Sequence, residues 1–182
     1  ATASGAQDKP SLLADGNGKA FLGYIDYGSG SNSTQHIAVL NPDGSTAASL
    51  QVASTSGKQA NLQMSIVGPG LLGYTWDDGR QSGKTRVYAQ IIDNTGKKSW
   101  AADGVAVSNR TGDQVTPSIT TDGNGGAIVS WEDKTRGTLE SDIYAQRLSA
   151  TGTALWPATG VAVGTAARMQ QVPHMLSDGQ NG

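Results

Sequence analysis

The chain has 182 residues, a formal net charge of −2, 25 glycines, one phenylalanine and no cysteine. The near-neutral charge excludes the electrostatic footprint of a domain that binds nucleic acid or an anionic membrane. The lack of cysteine excludes a disulfide framework and thiol chemistry. No apolar run approaches the roughly 18 residues that a membrane-spanning helix needs. Abundant Gly, Ser, Thr and Val favour short β-strands joined by frequent turns.

The sequence repeats with a spacing of 50 to 56 residues. The second and third copies align at an offset of 56, so that Tyr88-Ala89-Gln90 recurs as Tyr144-Ala145-Gln146 and Trp100 recurs as Trp156. A degenerate first copy lacks both repeat tryptophans, and its residues 22–26 align with residues 72–76 at an offset of 50. A fourth copy begins near Val172. A repeat of this length indicates an array of similar structural units.

Each copy predicts four short strands separated by turns. Asp-Gly and Asn-Gly pairs, as in 122–125, suit the hairpin between the first and second strands because they tolerate positive φ. The third copy predicts strands over 117–122, 127–133, 142–149 and 161–163. The second predicts them over 62–67, 71–77, 85–93 and 105–108, and the first over 10–15, 20–26, 36–41 and 50–53.

These motifs resemble the propeller-type repeat of secreted and cell-surface bacterial proteins. That repeat runs approximately D-G-x-G-G-A-I-V-x-W-x-D-x-R, then D-I-Y-A-Q-R, G-x-x-x-W and G-V-A-V; residues 113–182 carry it nearly intact, 59–112 well and 8–58 weakly. The resemblance implies an all-β protein with β-propeller-type, four-stranded antiparallel blades and an extracellular or cell-surface location. We expect blades at 8–58, 59–112 and 113–169, and the first strand of a fourth within 170–182.

Three blades and one extra strand do not make a closed ring, because propellers typically need about four to eight blades. We therefore expect the partner to be either the remaining blades of the same propeller or a second chain that completes the ring. The remaining alternative is an open arc that is stabilised by other contacts. The extra strand after Val172 argues against a simple dimer of two three-blade chains, because both chains would supply a first strand at the same place.

Two acidic loops lie where a propeller commonly binds ligands, between the second and third strands. Their candidate ligand-binding residues are Asp77, Asp78, Arg80, Glu132, Asp133 and Arg136. Paired carboxylates could act as general acid and base or bind Ca²⁺. Alternatively, each aspartate caps its loop and pairs with Arg80 or Arg136. We favour this structural interpretation because the residues obey the repeat, whereas a functional site should break it.

Other conspicuous residues also have structural explanations. Asp15, Asp122 and Asp178 lie in glycine-rich turns without the ligand spacing of a calcium loop. The four tryptophans recur in pairs, which favours packing between blades over sugar stacking. His36 and His174 are unrelated in the repeat, so a zinc site is not expected. We expect no catalytic residue, no metal and no cofactor.

The sequence therefore predicts a non-catalytic propeller segment that acts as a scaffold or as a binding module for protein or glycan. The alternative is an accessory or partial catalytic propeller of a larger extracellular hydrolase whose active residues lie outside this chain. Fold alone does not decide between them.

Overall fold

The computed structural model describes residues 7–27, 33–81, 83–137 and 139–179. The first sheet contains β1 (Gln7–Ala14), β2 (Ala20–Asp26), β3 (Thr34–Leu40) and β4 (Thr46–Gln51). The second contains β5 (Gln59–Gly68), β6 (Leu71–Gln81), β7 (Lys84–Asp93) and β8 (Val105–Ala106). The third contains β9 (Gln114–Thr121), β10 (Ala127–Asp133), β11 (Asp142–Leu148) and β12 (Val161–Gly164). No helix in these ranges could cross a membrane.

Each sheet is an antiparallel meander whose four strands follow chain order. The first strand of each later blade lies across several strands of the preceding blade: β5 contacts β1, β2 and β3, and β9 contacts β5, β6 and β7. By analogy with the blades of a propeller, we call β1, β5 and β9 the innermost strands. The prediction of all-β, four-stranded propeller blades is confirmed. We call the three sheets blades 1, 2 and 3.

Two apolar clusters hold the blades together. The first seam joins blades 1 and 2, where Phe21 and Ile37 pack in one buried cluster with Trp76. The second seam joins blades 2 and 3, where Val87 and Trp131 belong to the other. Burial of one such side chain contributes about 1.5–3 kcal/mol. A blade thus depends on the blade at each side to cover its two faces.

The alignment of blade 1 with blade 2 differs from the one read from the sequence. The second strands match at an offset of 52 rather than 50, so Tyr24 takes the place of Trp76. Tyr24 stacks on His36 at 5.4 Å between ring centroids, as Trp76 stacks on Tyr88 at 6.0 Å. The register is set by matching cross-strand pairs, which are Gln7 with Asp26, Gln59 with Asp78 and Gln114 with Asp133.

Each first strand begins about three residues before the position that its sequence predicts. The sequence predicts each start just after a residue with positive φ. The strand in fact continues on the other side of that residue, which forms a bulge. Such a backbone is unusual for residues other than glycine, most of all for β-branched ones. Within the described residues the series is Lys9 (53°), Asn61 (52°), Thr116 (54°) and Val172 (53°).

The predicted first strand of a fourth blade is not a regular strand. Residues 170–176 lie against blade 3 without a cross-strand ladder. A ladder needs a second strand, which the repeat would place beyond Gly182. The last residues of the predicted turn, 180–182, lie outside the described residues.

Candidate functional site

The links between blades and the loops joining β2–β3, β6–β7 and β10–β11 lie at one end of the blades. We call this end the hairpin face; the Asp-Gly turns between the first and second strands lie at the opposite end. The bulged starts of β1, β5 and β9 reach the same end, because each first strand begins where a link arrives. The predicted acidic residues and the innermost strands therefore meet at the hairpin face.

Asp77 joins blades 2 and 3 at this face. One of its carboxylate oxygens accepts a hydrogen bond from Asn61 Nδ2 at 2.6 Å, and the other accepts one from the backbone N–H of Thr116 at 3.1 Å. Its exposed fraction is only 5%. Burial raises the pKa of Asp77 to about 7, and the negative charge of Glu132 adds to this effect. Asp77 is thus a carboxyl group that changes charge near neutral pH.

Glu132 occupies the position in blade 3 that Asp77 occupies in blade 2. It is 3% exposed, and its Oε1 accepts a hydrogen bond from the backbone N–H of Val172 at 2.8 Å. Thr116 and Val172 are the positive-φ residues of successive first strands. The repeated contact shows that a carboxylate at the end of the second strand holds the bulge of the next first strand.

Asp78 is neutralised within blade 2. Arg80 forms an ion pair with it at 2.7 Å, and Trp76 Nε1 donates a hydrogen bond to it at 2.8 Å. Burial opposes ionisation, but these hydrogen bonds outweigh burial and hold the pKa of Asp78 below its ordinary value. The guanidinium also lies 3.7 Å from the centroid of the Tyr88 ring. The predicted local pairing of Asp78 with Arg80 is therefore present.

The expected pairing of Asp133 with Arg136 is wrong. Asp133 pairs with Arg110 at 2.8 Å, and the Arg110 guanidinium lies 3.8 Å from the centroid of the Tyr144 ring. Arg136 instead pairs with Glu140 at 2.9 Å and with Asp142 at 3.2 Å. The reason is the longer β10–β11 loop, which carries Arg136 away from Asp133. The link between blades supplies the replacement cation.

The remaining candidates behave as turn and core residues. Asp122 Oδ1 accepts hydrogen bonds from the backbone of Asn124 and Gly126, as expected of a turn aspartate. Trp76, Trp131 and Trp100 are buried, whereas Trp156 is only half-buried at the outer side of blade 3. Among the residues that the structure describes, no group of three or more acidic, His or Cys side chains could hold a metal ion.

A cavity of about 310 Å³ lies between the innermost strands of blades 1 and 2. It opens where β1 separates from β2 at its bulge, between Asp8 and Ser11. This volume falls at the lower end of the roughly 300–1,000 Å³ typical of ligand sites. Its lining comes from three strands: Lys9, Pro10 and Ser11 from β1, Gly23, Tyr24 and Ile25 from β2, and Asn61, Leu62, Gln63 and Met64 from β5.

The cavity lies where the residues of blade 1 depart from the repeat. Gly23 occupies the position of Thr75 in blade 2 and Ser130 in blade 3, and Ile25 occupies the position of Asp77 and Glu132. The wall of the cavity thus lacks the side chain that the other blades have at the position of Gly23. It also lacks the carboxylate that they have at the position of Ile25. Sequence reasoning missed it because the first copy was aligned two residues out of register, which hid both differences.

The uncharged polar groups around the cavity suit a ligand rich in hydroxyls. Ser11, Asn61 and Gln63 offer hydroxyl and amide groups that can both donate and accept hydrogen bonds. Asn61 also donates to the Asp77 carboxylate, so a ligand here would contact the hydrogen-bonded link between blades 2 and 3.

No protein-family model matches the chain, and no curated protein matches it in sequence. It is similar in structure to an endo-arabinase from Bacteroides thetaiotaomicron, with a TM-score of 0.55, 14% identity, and coverage of 87% of this chain and 61% of that one. It is also similar to an α-L-arabinanase from Penicillium chrysogenum in complex with arabinobiose, with a TM-score of 0.54, 12% identity, and coverage of 97% and 50%.

A third similar structure is an endo-1,4-β-xylanase from Bacteroides thetaiotaomicron, with a TM-score of 0.51, 13% identity, and coverage of 92% of this chain and 62% of that one. The chain therefore spans between 50% and 62% of these three proteins. At such identities the likeness establishes the fold.

This comparison contradicts the prediction of a non-enzymatic scaffold or binding module. The three structures that the chain resembles are an endo-arabinase, an α-L-arabinanase and an endo-1,4-β-xylanase, all of them enzymes. The physical reason for the error is that repeated residues report the packing of blades. Their structural role says nothing about residues that depart from the repeat.

Proposed function

We propose that this chain supplies three blades of the propeller of a glycoside hydrolase, in a secreted or cell-surface bacterial protein. The observation that carries the proposal is the polar cavity between the first strands of blades 1 and 2, where the repeat is broken. The likeness of the fold to an endo-arabinase and a xylanase supports a carbohydrate as the ligand.

The carboxylates at the hairpin face have a positioning role in this proposal. Glycosidases generally use two carboxyl groups that reach the scissile bond. Both oxygens of Asp77 accept hydrogen bonds from first strands, and Glu132 holds Val172. We therefore assign Asp77 and Glu132 to fixing the walls of the cavity, and we place the reacting carboxyl groups in blades outside these residues.

The rest of the predicted ligand-binding set is less suited to sugar contact. Asp78 and Asp133 have their charges matched by Arg80 and Arg110. The Arg136 side chain is 44% exposed, but it pairs with Glu140 and Asp142 in blade 3, away from the residues that line the cavity. Arabinose- or xylose-containing oligosaccharides are the proposed ligands.

Calorimetric titration of the 182-residue chain with arabino- and xylo-oligosaccharides tests this proposal. We expect at least one series to bind, and Gln63→Ala to weaken the binding about tenfold, the usual effect of losing a hydrogen bond of about 1.4 kcal/mol. Gln81→Ala is the matched control, since Gln81 is an exposed amide at the end of β6. Binding by neither series, or equal losses in both variants, would contradict the proposal.

A further inference from the structure

Residues 170–176 cross blade 3 in the way that β9 crosses blade 2. The backbone N–H of Val172 donates to Glu132 at 2.8 Å, as that of Thr116 donates to Asp77 at 3.1 Å. Val172 and Thr116 share nearly the same positive φ, 53° and 54°. Residues 170–176 therefore lie on blade 3 in the position that the repeat prescribes for a first strand, although they form no ladder.

The surface around this segment is exposed, whereas the matching surface at the second seam is buried. Val163 is 66% exposed, whereas Val107, 56 residues earlier, is 1% exposed. Leu176 is 93% exposed, whereas Thr120, also 56 residues earlier, is 4% exposed. Both matching positions are thus exposed here and buried at the second seam.

Between the segment and the sheet lies an apolar groove of about 490 Å³. Its walls include Ile143, Ala145 and Val163 from blade 3, together with Met175 and Leu176 from the segment. At the second seam the corresponding space is filled by blade 3 itself, since Val129 and Trp131 of β10 belong to the same buried cluster as Val107. An apolar surface of this kind usually marks an interaction site.

We propose that this groove is the docking surface for the second, third and fourth strands of a fourth blade of the same repeat. The second strand of that blade pairs with residues 172–176 and presents large apolar side chains at alternate positions, as Val129 and Trp131 do in blade 3. Continuity with the second seam carries the inference, because three features of that seam recur here: the carboxylate contact, the positive-φ residue and the apolar wall.

A second copy of this chain does not fit the same surface. Docking blade 1 of a copy onto blade 3 would bring its own first strand, β1, to the place that residues 170–176 already fill. The occupant must therefore lack a first strand and complete the one that is present. This requirement distinguishes a continuing blade from a dimer.

The test uses the repeat itself to supply the occupant. Gly182 lies 56 residues after Gly126, so a copy of residues 127–169 fused after Gly182 continues the repeat in register. We expect the fused protein to have a higher Tm than the 182-residue chain. We also expect residues 170–176 to become protected from hydrogen exchange, because they gain a cross-strand partner.

Val163→Asp then reports whether the groove is covered. It should lower the Tm of the fused protein by roughly 4–10 °C and leave that of the 182-residue chain unchanged. Ala162→Asp is the matched control on the same strand, since Ala162 is exposed, as is Ala106 in blade 2. Val107→Asp in the 182-residue chain should match the loss seen for Val163→Asp in the fused protein.

Three results would overturn the proposal. The first is a fused segment that gives neither a higher Tm nor exchange protection. The second is an equal effect of Val163→Asp with and without the fused strands. The third is a dimer of the 182-residue chain in sedimentation that Val163→Asp dissociates, which would make a second copy the occupant.

Discussion

The two seams between the blades are built from matching positions with different residues. At the second seam, Asp77 bridges Asn61 and Thr116, and Trp100 packs on Gly152, where a Cβ would lie 2.9 Å from the ring. At the first seam, Ile25 replaces the carboxylate and Ala48 occupies the place of Trp100 next to Gly96.

The difference separates two kinds of residue. The second seam is recapitulated on the outer side of blade 3, where Glu132 repeats the contact of Asp77. The residues that recur at the second seam and on the outer side of blade 3 are those that hold neighbouring blades together. The first seam lacks these residues and contains the polar cavity instead. Departure from the repeat is therefore the better guide to a ligand site in this protein.

The largest expected effect comes from removing the aromatic wedge of the second seam. Trp100 is buried, and its Nε1 donates to the carbonyl of Ala150 at 3.0 Å. Trp100→Ala should lower the free energy of unfolding by about 3–5 kcal/mol, the usual cost of a Trp cavity. Urea denaturation measures this change. A loss below about 1 kcal/mol, as for a surface site, would show that Trp100 does not hold the seam.

The next effect tests the cation that the link between blades provides. Arg110→Ala leaves the carboxylate of Asp133, whose side chain is 1% exposed, without its ion pair. We expect a loss of about 2–3 kcal/mol, since a buried charge is left unpaired. Glu140→Ala is the control, because its pair with Arg136 is exposed on both sides, at 48% and 44%, and should contribute less than about 1 kcal/mol. Equal losses in the two variants would remove the distinction between the buried and the exposed ion pair.

Asp77 predicts a pH dependence that the first seam lacks, because Ile25 cannot titrate. The folded protein holds the pKa of Asp77 at about 7, above its ordinary value of 3.8, so the folded state binds the extra proton between these values. Stability from this group is therefore present at low pH and falls as the pH rises through 7.

Denaturation of the wild type and Asp77→Asn at several pH values isolates this contribution. Relative to the variant, the wild type should lose on the order of 2 kcal/mol between about pH 5 and about pH 8. Asp43→Asn is the control, since Asp43 lies in an exposed turn of blade 1. A difference that does not change with pH, or that grows as the pH rises, would contradict the raised pKa of Asp77.

The smallest expected effect on stability restores the repeat at the first seam. Gly23→Ser introduces the residue that blade 3 carries as Ser130. Its Cβ would lie 2.8 Å from Sδ of Met64, a flexible side chain that can move. Stability should change by less than about 1.5 kcal/mol, while oligosaccharide binding should fall because the cavity is partly filled. Unchanged binding in calorimetry would place the ligand elsewhere.

Much of the fold could be predicted because each blade repeats its own turn and strand chemistry. The three four-stranded blades followed from the Asp-Gly hairpins and from the recurring Tyr-Ala-Gln strands. The bulges could not be predicted, since Lys9, Asn61, Thr116 and Val172 have no residue type in common. The partner of Asp133 was missed because Arg110 precedes it by 23 residues and belongs to a link.

The candidate site was predicted less well for a related reason. The acidic residues were expected in loops, whereas Asp77 and Asp78 lie within β6 and Glu132 and Asp133 end β10. They obey the repeat, and their contacts hold neighbouring strands and blades. The cavity depends on Gly23 and Ile25, which stand out only once the register of blade 1 is known. A register error of two residues was enough to conceal them.

Methyl NMR of the three methionines tests the central claim most directly. Met64 lines the cavity between blades 1 and 2, whereas Met169 and Met175 lie at the outer side of blade 3. Titration with arabino- or xylo-oligosaccharides should shift the Met64 methyl resonance and leave the other two in place. A Met64 resonance that stays unchanged at saturating oligosaccharide, or shifts confined to Met169 and Met175, would contradict a sugar site at the first seam.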